Sequence, residues 1–466
     1  MANHRLPNII VIMADDLGCC DLGCYGNPRA VTPNLDRLAK SGILLTHHYS
    51  ASPMCAPARA GFLTGLHPHK TGATDVPSIR GQNRVDPGLN TLPKLLKAKG
   101  YDTCLIGKWH NGGGHRNFHP SRYGYDEFCG FEGGVSPYYD YDLEREFGQY
   151  EHVTDQYMTD RLTDEAVTWI RRHKDGPFHL QLAYNAPHRP LEAPDEETRW
   201  FDRMEGVTTG VRTLYAMIKR MDSNIGRLIS CLEEEHLMED SVILFLSDNG
   251  PDFVGEGELA IRNRPCHVFN GHKGDVLEGG VRVPAIISWR GVLPAGEENS
   301  QPSVFMDWFP TLAGLAEAEE EEFGETDGHD IWPVLTQNKP NQADYYWHWT
   351  RYELVSHSNM AVFHDGYKLY YPVYGDNHAY HKPDSPFAVL KGPYRIFTDT
   401  VLREHPPADV APKLFYLPDD PGESRDLSDE KPEIVKKLKG MLDSWFEKVL
   451  SQYREAAKVT LTNPED

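Results

Sequence analysis

What most constrains this chain is an alternation. Short apolar runs alternate with amphipathic segments over roughly the first two thirds of the sequence. "NIIVIMADD" is an apolar strand ending in carboxylates. "TPNLDRLAKSGILLTHHY" reads as a helix and then a strand, with Thr32 as cap, Pro33 in the first turn and Leu35 and Leu38 facing inward. "NTLPKLLKAKGYDTCLIGKWH" repeats the pattern, with Gly100 closing the helix. "TDRLTDEAVTWIRRHK" leads to "FHLQLAYN", and "LYAMIKRMDSNIGRLISCLEEEHL" leads to "SVILFLSDNG". Helices between fully apolar strands predict an α/β fold, a large mainly parallel sheet sandwiched by helices. Ligands of such sheets sit at the carboxyl ends of the strands. "VFMDWFPTLAGLAE" adds a helix, and the acidic run 316–325 reads as a solvated loop. Beyond about residue 340 the texture changes. "ADYYWHWTRY", "NMAVFHDGYKLYY" and "KLFYLPDD" predict strands and hairpins, and "KPEIVKKLKGMLDSWFEKVL" a final helix. The expected division is a large domain over 1–340 and a small α+β domain with an antiparallel sheet over 341–466.

Charge narrows the function. Among 466 residues, 47 Lys and Arg face 69 Asp and Glu, a net charge of −22. That argues against nucleic acid or an anionic membrane as partner. An anionic substrate would need a locally basic site. No apolar run approaches the ~20 residues of a membrane span. Ile9–Ala14 is too short for the core of an export signal. The sequence as it stands reads as cytoplasmic, or periplasmic or secreted if an export signal has been removed. Eight cysteines are too few for a disulfide scaffold in this length. Cys19, Cys20 and Cys24 cluster, but no second Cys/His pair stands at zinc spacing, so free thiols are expected.

The chemistry-bearing residues fall at predicted strand ends. Asp15 and Asp16 follow the first strand; Asp248 and Asn249 follow "VILFLS". Asp favours turns, so either pair alone says little. Together, an all-oxygen set suits a hard cation, Ca²⁺ before Mg²⁺. Lys108 and His110, His188, and His272 and Lys273 could join the metal in a pocket for a tetrahedral oxyanion. Cys55 opens a small-residue helix, "CAPARAGFLTG", whose positive end favours an anion or a thiolate.

Cys55-Ala56-Pro57-Ala58-Arg59 resembles the C-x-P-x-R signature of the formylglycine-dependent (type I) sulfatases, in the alkaline phosphatase superfamily. "IMADDLG", "GKWH", "PHRP", "SDNG", "HKG…EGGVRVP" and "LFYLPDDPGESRDLS" match further family segments, so the likeness spans nearly the whole chain. The resemblance implies an alkaline phosphatase-like fold and hydrolysis of a sulfate monoester. It implies that a maturation enzyme oxidises Cys55 to Cα-formylglycine, whose hydrate is the nucleophile. One Ca²⁺ would be held by Asp15, Asp16, Asp248 and Asn249. Arg59 would stabilise the hydrated aldehyde, and Lys108 and Lys273 would clamp the sulfate. His110 would bond the second hydroxyl of the hydrate and assist release, and His188 would serve as leaving-group acid. Ala56 and Ala58 stand where many relatives carry Ser or Thr, at positions that vary in the minimal signature.

A sulfated saccharide is the expected substrate, with Tyr138, Tyr139, Arg262, Arg264, His378 and His381 as candidate contacts. Two alternatives stay open. One is a phosphonate or phosphate ester hydrolase on the same scaffold. The other is a non-catalytic glycan-binding relative, which the complete set of site residues disfavours.

Overall fold

The computed structural model describes residues 6–76, 84–265, 267–337, 339–351, 354–374 and 407–462. Ten strands form one sheet: β1 (Asn8–Ala14), β2 (Ile43–Leu45), β3 (Asp102–Lys108), β4 (Glu127–Phe131), β5 (Tyr141–Glu144), β6 (Tyr150–Val153), β7 (Phe178–Ala183), β8 (Ser241–Ser247), β9 (Ala285–Ser288) and β10 (Glu297–Asn299). Their order is β10-β2-β9-β8-β1-β7-β3-β4-β5-β6. The central strands β8, β1, β7, β3 and β4 run parallel. Strand β9 pairs antiparallel with β8 and β2, and β5 and β6 close the other edge as an antiparallel hairpin. The expected mainly parallel sheet is therefore present, with antiparallel margins that the sequence pattern did not disclose.

The strands read as continuous apolar runs because both faces are covered. All seven residues of β1 are buried. Ile10, Ile12 and Ala14 pack under the helices Met158–His173 and Thr209–Glu234. Ile9, Val11 and Met13 face the opposite layer, which holds the helices Cys55–Thr64 and Trp308–Leu315. The Cys55 helix is buried at all ten residues, which its small side chains permit. A Cβ on Gly61 would come within 2.5 Å of the Ala51 Cβ.

A second sheet is antiparallel throughout: β11 (Tyr345–His348), β12 (Met360–His364), β13 (Tyr367–Tyr371) and β14 (Lys413–Tyr416). Its strands alternate in the period of two. Ala361 and Phe363 join the core of the large sheet, while Met360 and Val362 face Leu438, Leu442 and Phe446 of the helix Pro432–Thr462.

Two local expectations are corrected. Thr32 occupies the cap position of the helix Pro33–Lys40 without capping it. Its hydroxyl accepts from the Gly23 amide at 2.9 Å and donates to Asp36. The free amides of Asn34 and Leu35 donate instead to Asp222, on the neighbouring long helix, at 3.1 and 2.8 Å. The acidic run is not all loop. Glu320–Phe323 forms one helical turn, because the Glu319 amide donates to the Glu322 carboxylate and Phe323 buries against Phe309.

Candidate active site

The carboxyl ends of β1, β3, β7 and β8 converge. Strand pairing continues past the strands themselves, with the Asp15 amide donating to Ala186 O and the Asp248 amide to Ala14 O, both at 3.0 Å. This aligns Asp15 and Asp16 beside Asp248 and Asn249. Asp16 has φ 64°, the sparsely populated left-handed region for a side-chain-bearing residue. Its amide donates to Asp248 Oδ1 at 3.2 Å, and Asn249 Nδ2 donates to Asp16 Oδ1 at 2.8 Å. Two hydroxyls brace the turn. Ser247 accepts from the Leu17 amide and donates to Asn249 O, and Ser50 donates to Asp248 O.

Three cations answer three carboxylates, each carboxylate having a different nearest cation, with Arg59 Nη2 also 3.8 Å from Asp15 Oδ2. Lys108 Nζ donates to Asp15 Oδ2 at 2.5 Å. Lys273 Nζ donates to Asp16 at 2.8 Å. Arg59 grips Asp248 Oδ2 through Nε at 2.9 Å and Nη2 at 2.8 Å. Arg59 lies one turn after Cys55, so the helix carries both residues to the same cluster. His188 Nε2 stands 3.5 Å from Asp16 Oδ2, and its Nδ1 donates to Arg189 O at 2.7 Å. His110, at φ 56°, packs its ring against Gly134, where any Cβ would come within 2.5 Å of Nε2.

Burial sets the protonation states. It pushes the Asp16 carboxyl up, but Lys273, His188 and Lys108 outweigh it and hold the group well below the usual range. Asp248 is raised by burial and by the Asp15 charge, against Arg59. Burial also lowers His110, and Lys108 adds to it, so the imidazole is neutral near pH 7. His188 falls to about 3 through burial and Lys273. The Cys55 thiol is raised by burial despite Lys108 and Lys273, so it is not a thiolate.

The donor set fits a hard cation. It is all oxygen, and Asp15 Oδ1 and Asn249 Oδ1 are buried without a hydrogen-bond partner. Among the described residues, Asp15, Asp16 and His188 also place one potential ligand atom each within 4.8 Å of one another.

The structure thus gathers Cys55, Arg59, Lys108, His110, His188 and Lys273 around Asp15, Asp16, Asp248 and Asn249. The peripheral candidates scatter. Tyr138 is fully buried and donates to the carbonyls of Asn185 and His188, holding the His188 turn rather than facing a substrate. Arg264 is buried in an ion pair with Asp21. Tyr139 is 41% exposed beside Tyr157, and Arg262 is exposed. His378 and His381 lie outside the described residues. The cysteines among the described residues are free. Sequence reading missed Ser50, Ser247 and Gly134. Ser247 precedes Asp248 directly, and the Gly133-Gly134 pair was a visible sign of close approach.

Known proteins resemble this chain over most of its length. A family model described as Sulfatase matches residues 7–318. Steryl-sulfatase of Mus musculus is 30% identical, covering 94% of this chain and 81% of its own. N-acetylgalactosamine-6-sulfatase of Sus scrofa is 30% identical, covering 93% and 84%. The solved structure of Ps i-CgsB with k-i-k-neocarrahexaose superposes with a TM-score of 0.78 at 29% identity, covering 98% of this chain and 100% of that one. The chain belongs to the sulfatase family, whose members are sulfuric ester hydrolases.

Proposed function

We propose that this sulfatase hydrolyses a sulfate monoester on a carbohydrate, using a nucleophile matured from Cys55 and a site centred on calcium. The observation that carries the reading is the buried cluster in which Cys55, three cations and four oxygen-bearing side chains meet at one sheet edge. A raised thiol pKa makes unmodified Cys55 a poor nucleophile, which favours its reading as a precursor. Formylglycine, once made at position 55 by a maturation enzyme, would supply a hydrated aldehyde, with one hydroxyl for attack at sulfur and a second whose deprotonation would let the sulfate leave. Asp15, Asp16, Asp248 and Asn249 would hold the Ca²⁺, which supplies charge stabilisation to the transferred group. Lys108 and Lys273 face the same space and neutralise sulfate oxygens as charge builds. Arg59 fixes Asp248 and keeps positive charge beside the nucleophile. His188 has its Nδ1 proton committed to Arg189 O, which leaves Nε2 toward the site. An arriving anion favours protonation there, and that proton goes to the departing alcohol oxygen. His110, neutral and set against Gly134, takes the proton of the second hydroxyl.

The carbohydrate assignment draws on relatives named for N-acetylgalactosamine 6-sulfate and on the neocarrahexaose complex. The test is turnover by protein co-produced with a maturation enzyme, after peptide mass spectrometry of residues 55–59 establishes the aldehyde. Position-defined sulfated saccharides should be desulfated, and chelation should abolish the activity until calcium is returned. Dominant turnover of a phosphonate monoester, or full activity of calcium-free enzyme, would overturn the proposal.

A further inference from the structure

We infer that Asn359, in the C-terminal sheet region, is a positioning residue for Lys273, an inference that rests on Lys273 binding the sulfate. Asn359 precedes β12 and is buried at 1% exposure. Its side-chain amide is fully used. Nδ2 donates to Gly274 O at 2.7 Å and to Trp349 O at 2.8 Å. Oδ1 accepts from the Val276 amide at 3.1 Å. Asn359 therefore clasps the turn 274–276 that directly follows Lys273. That turn is also tied to the nucleophile side, since the Gly274 amide donates to Pro53 O at 2.9 Å, two residues before Cys55. The Lys273 amide donates to Pro251 O at 2.9 Å, beside the Asp248 strand end. One side chain thus fixes the short hinge on which Lys273 is held relative to both Cys55 and Asp16.

The loop's far end is pinned from the same sheet. Lys368 on β13 pairs with Glu278 at 2.9 Å and with Glu423 at 3.0 Å, and the Glu278 amide donates to Glu423 at 2.7 Å. The Lys368 pairs restrain Glu278, five residues beyond Lys273. Asn359 instead bonds Gly274 and Val276, within three residues of Lys273. Its φ of 45° is a conformation that Asn and Gly adopt more readily than other residues. The side chain, not the backbone, is then what a substitution by Gly removes.

The experiment compares Asn359→Gly, Asn359→Asp, Lys273→Ala and the Asn359→Gly/Lys273→Ala pair in full-length matured protein. Leu442→Ala, a buried truncation on the helix behind the sheet, serves as the stability control. The readouts are kcat/KM for 4-nitrophenyl sulfate per mole of aldehyde, inhibition by inorganic sulfate, and the thermal midpoint. Asn359→Gly should lower kcat/KM at least tenfold and weaken sulfate inhibition in parallel. Asn359→Asp keeps the acceptor and the left-handed preference but loses both donors, and should act in the same direction. In the Lys273→Ala background, Asn359→Gly should cost less than a further twofold. Leu442→Ala should lower the midpoint with kcat/KM kept within twofold. Equal losses from Asn359→Gly in both backgrounds, or none in either, would overturn the inference. A loss below tenfold for Lys273→Ala alone would overturn the role of Lys273 first, and the inference with it.

Discussion

Replacing Arg59 by Met tests how the carboxylate cage is kept ionised. Arg59 is 2% exposed; its Nε donates to Asp248 Oδ2 at 2.9 Å, and its Nη2 lies in ion-pair contact with the same oxygen at 2.8 Å. Burial and the Asp15 charge already raise Asp248, and Arg59 is the first force opposing them. Removing one partner of a buried ion pair costs about 3–5 kcal/mol, because the other charge is left without compensation. At about 1.36 kcal/mol per pKa unit, the lower figure corresponds to a rise of about two units. Asp248 would then be protonated at pH 7, and a cation would have to displace that proton. The assay is calcium titration by calorimetry between pH 7 and pH 9, on protein with unmodified Cys55 so that maturation plays no part. The parent should bind calcium with little pH dependence over this range. Arg59→Met should bind about tenfold or more weakly at pH 7 and regain affinity as pH rises. Parent-like affinity at pH 7, or a deficit that does not shrink toward pH 9, would refute the reasoning.

Other expectations follow from single residues. Cys55→Ser should fold, since the side chain is buried and similar in size, yet lose turnover by at least ~10³-fold for want of the second hydroxyl; residual activity above a tenth of the parent's would contradict the precursor role. Asp222→Ala leaves the amides of Asn34 and Leu35 without their acceptor and should destabilise the fold by about 1–2 kcal/mol, read as a lower urea midpoint. His48 accepts from Trp308 Nε1 at 3.2 Å, is neutral, and is lowered to about 3 by burial. Its unfolded form takes a proton below about pH 6.5 and its folded form only near pH 3. Stability should therefore fall as pH drops through that window, by up to ~1.4 kcal/mol per unit from this group, and His48→Gln should flatten the slope measured by urea unfolding.

The parts of the fold visible in the sequence are those fixed by local repetition. Strands β1 and β8 are buried on both faces, so each announces itself as an unbroken apolar run ending in polar residues. The long helix Thr209–Glu234 announces itself by period. The margins β5, β6, β9 and β10 are only three or four residues long, too short for a period to emerge. Distant partners were equally hidden. Asp222 caps a helix 188 residues away, and Arg264 pairs with Asp21 across 243. An Arg in a loop looks like a substrate contact until its carboxylate is known, and Arg264 was misread for that reason. Tyr138 was misread because an aromatic near a strand end gives no sign that its hydroxyl is already spoken for by two carbonyls.

At the site, residue identities were legible and pairings were not. Strand ends predicted which groups would gather, because a parallel sheet delivers them all to one edge. The structure adds that each carboxylate has its own nearest cation: Lys108 for Asp15, Lys273 for Asp16, Arg59 for Asp248. The cluster is balanced in charge, which explains how so many ionised groups can be buried together. The same balance shapes recognition. While the lysines are committed to carboxylates, they have little attraction to spare for an anion. A divalent cation held by those carboxylates would offset their charge and release the lysines toward the sulfate. The overall charge of −22 repels anions only within a Debye length of about 8–10 Å of the surface. On the proposed function, selection for a sulfate ester would fall to short-range contact with Lys108, Lys273 and His188, and how firmly the loop carrying Lys273 is held would then enter the chemistry.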